Sequence, residues 1–87
     1  MITSKEALEL TNKANNYTKY LEYYIVVTEE KIKASANNGE RSCIVDIDSK
    51  KYGYIVATQL LYILMQNGYN VKMCNQGYKK YGLWIFW

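Results

Sequence analysis

The chain has no proline and no histidine, only one phenylalanine and two cysteines, and no apolar run approaching the roughly 20 residues of a membrane span. Without histidine it lacks the commonest general base near neutral pH and the commonest transition-metal ligand, which argues against hydrolase or metalloenzyme chemistry. Cys43 and Cys74 form no CxxC pair, and the opening Met-Ile-Thr-Ser-Lys-Glu reads as the start of a helix rather than a secretory leader. The expectation is a soluble protein of the cytoplasm with two reduced, buried thiols, no cofactor and no membrane partner.

What is present is aromatic and basic. There are ten tyrosines and two tryptophans in 87 residues. That length makes one domain, near the size at which a single core gives only a few kcal/mol and oligomerisation becomes a common remedy. The net charge of +3 is unevenly divided: residues 1–40 carry five Lys against six Glu, and residues 41–87 carry five Lys and one Arg against two Asp. The second half therefore favours phosphates or acidic protein surfaces.

Thr3 and Glu6 have the spacing of a capping box, and helix-forming text runs from there to Asn37-Asn38-Gly39, a helix-closing signal. More than thirty residues is long for one helix here, so the 1–39 segment is expected to bend or break at Asn15-Asn16. Leu21, Ile25, Thr28, Ile32 and Ala36 recur at helical spacing as the face turned to a sheet. Tyr20, Tyr23, Tyr24, Val26 and Val27 occupy its other faces, and a helix apolar nearly all round is expected to be buried nearly all round. Residues 40–87 read as a β-α-β-β unit: a strand over Arg41–Ile47, a helix from about Lys50 to Asn67 capped by Asp48 or Ser49, a strand over Val71–Asn75, a turn over Gln76–Gly82 and a last strand over Leu83–Trp87.

That last strand carries both tryptophans and the phenylalanine, with Leu83, Ile85 and Trp87 on one face and Trp84 and Phe86 on the other. A strand apolar on both faces belongs in the centre of a sheet covered twice. The fold class is thus α+β: two helices on a small three-stranded sheet, in the order α-β-α-β-β, with the last strand central between two parallel neighbours. The domain has material for one cover, so the second is expected from another copy of the chain or from a ligand.

The turn Gln76-Gly77-Tyr78-Lys79-Lys80-Tyr81-Gly82 offers lysines for phosphate, tyrosines for stacking and glycines for close approach of backbone amides. The plainer reading is a basic hairpin turn that discourages edge pairing. Arg41, the single arginine, could grip a carboxylate or phosphate. Asp46 and Asp48 share a strand face but have no third ligand nearby, so they read as a strand end and a helix cap, not a metal site. The tyrosine clusters, Tyr17, Tyr20, Tyr23 and Tyr24 on the first helix and Tyr52 and Tyr54 opening the second, suit either core or interface.

The text Ala34-Ser35-Ala36-Asn37-Asn38-Gly39, then Leu64-Met65-Gln66-Asn67-Gly68-Tyr69-Asn70-Val71, then a last strand rich in Trp and Ile resembles a loose class of small phage proteins over residues 32–87. The resemblance implies a counter-defence factor of the host bacterial cytoplasm: a homo-oligomer that sequesters a nucleotide signal of bacterial immunity, or a direct inhibitor of a host protein. With it, the expected activity is non-enzymatic capture of a phosphate-bearing nucleotide by Arg41, Tyr78, Lys79, Lys80 and Tyr81, with Trp84 or Trp87 as a stacking wall and Tyr20, Tyr23, Tyr24 and Val27 at an interface. The alternatives are docking on a host protein and weak binding of single-stranded nucleic acid.

Overall fold

The computed structural model describes residues 1–15, 17–48, 52–77 and 80–87. The order of elements is α1 (Ser4–Asn15), α2 (Thr18–Asn37), β1 (Ser42–Asp48), α3 (Gly53–Gln66), β2 (Asn70–Gly77) and β3 (Lys80–Phe86). The class is α+β, as expected; among the described residues there are three helices instead of two, α1 ending at Asn15 and α2 beginning at Thr18. The Thr3 hydroxyl accepts from the Glu6 amide at 3.1 Å and starts α1. None of its described side chains joins the core; Leu8 and Leu10 are exposed on it, and the molecule measures 54 × 27 × 19 Å.

Both α2 and α3 end in the same way, on a glycine in the left-handed region. Gly39 has φ 81° and Gly68 φ 92°. The Glu40 amide donates to Ser35 at 2.9 Å and that of Gly39 to Ala36 at 3.0 Å; Tyr69 and Gly68 repeat the pattern on Leu64 and Met65, each at 3.1 Å. These are Schellman closures, which need the φ that glycine adopts without a Cβ penalty.

The sheet order is β1-β3-β2, with β3 antiparallel to both neighbours. The last strand is central, and β1 and β2 run parallel to each other across it. Its extent corrects the sequence reading. Lys80, Tyr81 and Gly82 belong to β3, because Asp48, Ile47 and Asp46 pair with them and carry the ladder past the expected strand end. The same pairing takes the backbone of Asp48 into β1, and the N-cap position of α3 falls to Tyr52. Ser49, the other expected cap, lies outside the described residues, and α3 begins at Gly53 after Tyr52, with no side-chain cap.

Val45, Ile47, Leu83 and Ile85 on one sheet face meet Val56, Ala57, Leu60 and Leu64 of α3, all nearly or fully buried. The partly buried Leu21, Ile25 and Ile32 of α2 complete this layer, in which each fully buried aliphatic of the sheet and α3 contributes roughly 1.5–3 kcal/mol. The expectation that α2 is buried nearly all round is corrected: Tyr20, Tyr23 and Val26 are exposed, as is Ala36, because α2 packs on β1 and α3 along one side. Among the described residues no helix is long and apolar enough to cross a membrane.

Candidate functional site: the open face of the sheet

Alternation along three paired strands sorts side chains into two layers, and the helices cover one of them. The other layer is led by Ile44 and Trp84, 47% and 41% exposed, with Phe86 half-buried beside them. Trp84 and Phe86 form the uncovered side of β3, and Ile85 lies under the helices.

The register sets out rows across this face. Ile44, Trp84 and Lys72 form one row; Ser42, Phe86 and Asn70 the next; Asp46, Gly82 and Cys74 a third. The indole of Trp84 and the ring of Phe86 stand 4.8 Å apart at 34°, and the Lys72 ammonium lies 6.0 Å from the Phe86 centroid. Gly82, which is buried, adds no side chain to the third row, so the indole has an aromatic neighbour on one side along the strand and none on the other. An exposed, electron-rich indole with a second ring tilted at its side and a cation at the margin can stack a heteroaromatic ring and attract an anion attached to it.

At the β1 edge the face continues into a shallow hollow of about 510 Å³, bordered by Lys31, Ser35, Glu40, Ile44 and Trp84. Lys31 donates to the Ile44 carbonyl at 3.0 Å. Cys43 lies beneath, half-buried, and burial pushes its thiol pKa up; Lys31 counteracts this and Glu40 adds to it. Cys74 is exposed on the open face, which corrects the expectation of two buried thiols.

The expected ligand residues that are described do not converge. Trp84 and the exposed Lys80 share the open side of β3, about 13 Å apart along the strand. Tyr81 lies on the helix side, its ring edge-on to Tyr54 at 5.9 Å. Trp87 meets Tyr69 edge-on at 6.2 Å. Arg41 is at the far end of the sheet from Lys80, where its guanidinium donates to the Trp87 carbonyl at 3.3 Å and its own carbonyl accepts from the Trp87 amide at 3.0 Å. Tyr78 and Lys79 lie outside the described residues. Of the expected interface residues, Tyr20 and Tyr23 are exposed, while Tyr24 and Val27 are half-buried.

Lys72 and Ile44 were missing from the expected site. Alternation along β1 placed Ile44 opposite the core face, so it was within reach of the sequence. Lys72 joins Trp84 only through the β2–β3 register, which a single strand does not reveal. Among the described residues no three His, Cys, Asp or Glu side chains gather as a metal-ligand set.

No protein-family model matches this chain, and no curated protein or solved structure is significantly similar to it. The likeness to small phage proteins rests on the sequence pattern alone.

Proposed function

We propose that this chain is a non-enzymatic binding protein that captures a phosphate-bearing nucleotide on the open face of its sheet. The base stacks on Trp84 and Phe86, and the phosphates turn to Lys72 and Lys80. The observation that carries this reading is the half-exposed indole of Trp84 on a face no helix covers, with Lys72 directly across the strand pair. The side chains of Ser42 and Asn70, in the row of Phe86, are available to a ribose. The sequence resemblance directs the choice of ligand toward the nucleotide signals of bacterial immunity, which such a protein would hold away from their receptors.

Titration calorimetry against mononucleotides, ADP-ribose isomers and cyclic dinucleotides tests the reading. A micromolar Kd that is lost in Trp84→Ala and weakened in Lys72→Ala is expected. Absence of heat across the panel at about 500 µM ligand would sink it.

The breadth of the apolar patch formed by Ile44, Trp84 and Phe86 favours a second reading, a host protein docked on the same face. Salt separates the two: phosphate contacts weaken steeply between low and high ionic strength, and an apolar protein interface does so far less. A single-stranded nucleic acid would show the steep dependence together with affinity that grows with strand length.

A further inference from the structure

The outer side of α2 carries a second pattern that neither the core nor the sheet face uses. Lys19, Tyr23, Val26, Glu30 and Lys33 follow one another at alternating spacings of four and three, the a/d stripe of a coiled coil, and all are exposed. Tyr23 and Val26 are 62% and 55% exposed. Leu21 and Thr28, on the opposite side of the helix, face the core, so the stripe points squarely away from the protein's own body. Tyr20 and Val27 flank it along one margin.

We propose that this stripe is a self-association surface, on which α2 of a second copy lies antiparallel across a two-fold axis level with Tyr24 and Ile25. A helix laid against its own reversed copy at this level sets Tyr23 against Val26 of the other copy. One step outward on each side, Lys19 meets the other copy's Glu30. Symmetry repeats both pairings, so two apolar layers are enclosed between two pairs of opposite charge. Along the flank, Tyr20 comes beside Val27 of the second copy, extending the apolar strip. Moving the axis by one step to Val26 itself would oppose Lys19 to Lys33 and Glu22 to Glu30, so charge selects the register. On the other flank Glu22 approaches Glu29 of the second copy at the solvated rim, which keeps the association modest. An interface this small is at the low end of the size range, and a Kd between about 10 µM and 1 mM is expected.

The second copy is chosen over a foreign helix because the complementarity is internal to the stripe: Lys19 finds Glu30, and Tyr23 finds Val26, on the same sequence reversed. The surface is separate from the open sheet face, so the dimer would carry two independent ligand faces, and the failure of either reading leaves the other intact.

Sedimentation velocity over a concentration series to about 1 mM tests the proposal. The wild-type chain should show a mass that rises from one copy to two. Tyr23→Glu should remain a single copy at every concentration with an unchanged circular-dichroism spectrum. Lys19→Glu and Glu30→Lys should each weaken the dimer by about tenfold, since each replaces two ion pairs by two like-charge contacts, and the double variant should restore it. A strictly monomeric wild type overturns the proposal. So does a dimer that ignores these substitutions and dissociates with Trp84→Ala instead.

Discussion

The ammonium of Lys31, on α2, donates to the carbonyl of Ile44, on β1, at 3.0 Å. β1 is an edge strand, and an unpaired edge is a template for another chain. The bond satisfies an edge carbonyl and places a charge where an incoming strand would have to pair. Lys31→Met should therefore cost at most about 1 kcal/mol in urea denaturation while markedly raising light scattering on concentration. Unchanged colloidal behaviour would show that the edge needs no such guard.

Leu83 and Trp84 are neighbours in β3 and face opposite ways. Leu83 is fully buried, so Leu83→Ala should lose about 2–5 kcal/mol of stability. Trp84→Ala, on the open face, should lose no more than about 1 kcal/mol and keep the fold while abolishing ligand binding. Equal losses in chemical denaturation would mean that the face is covered in solution.

Thr28 is 1% exposed, and its hydroxyl finds no hydrogen-bond partner among the described residues. Replacing a buried, unsatisfied hydroxyl by a methyl group removes a desolvation cost at constant shape. Thr28→Val should leave stability unchanged or raise it by about 1 kcal/mol, read as an upward shift of the thermal midpoint.

The two thiols should separate kinetically. Cys74 is exposed, whereas Cys43 is half-buried with its pKa raised by burial, so iodoacetamide near neutral pH should label Cys74 first. The sign for stability follows from the same shift. A thiol whose pKa is higher in the folded than in the unfolded chain contributes fully below the ordinary thiol range. That contribution is lost as pH rises through the folded value. A Cys74→Ser chain should accordingly become less stable at strongly alkaline pH, and Cys43→Ala in that background should reduce the slope.

Much of the architecture was legible because local chemistry and tertiary need agreed. Asn38-Gly39 and Asn67-Gly68 closed helices where only glycine suits the backbone, and the doubly apolar Leu83–Phe86 text placed β3 in the centre. The failures came where pairing overrode local preference. Asp48 looks like a helix cap, and Lys80 to Gly82 look like a turn, yet each gains a ladder partner by joining the sheet. The α2 helix misled for a different reason: tyrosines count as apolar in a pattern, while their hydroxyl-tipped rings tolerate water, so an apolar circumference did not mean a buried one. For the site, Trp84 was foreseeable and Lys72 was not, since cross-strand neighbours depend on register. Arg41 was drawn away by the carbonyl of Trp87, a contact 46 positions distant in the sequence.

The central position of β3 also fixes an order of events. β1 and β2 have no hydrogen bonds to each other; each pairs only with a strand that comes after both in the chain. Until residues 80–86 have been synthesised, neither earlier strand has a partner, and the sheet has no two-stranded intermediate available from the N-terminal side. The helices can form early, but the layer that gives them something to cover arrives in a single late step, a zipper closed by its slider. The nascent chain must meanwhile keep Val45, Ile47 and Val71 from foreign strands, and the lysines spread through its second half give it the charge to do so.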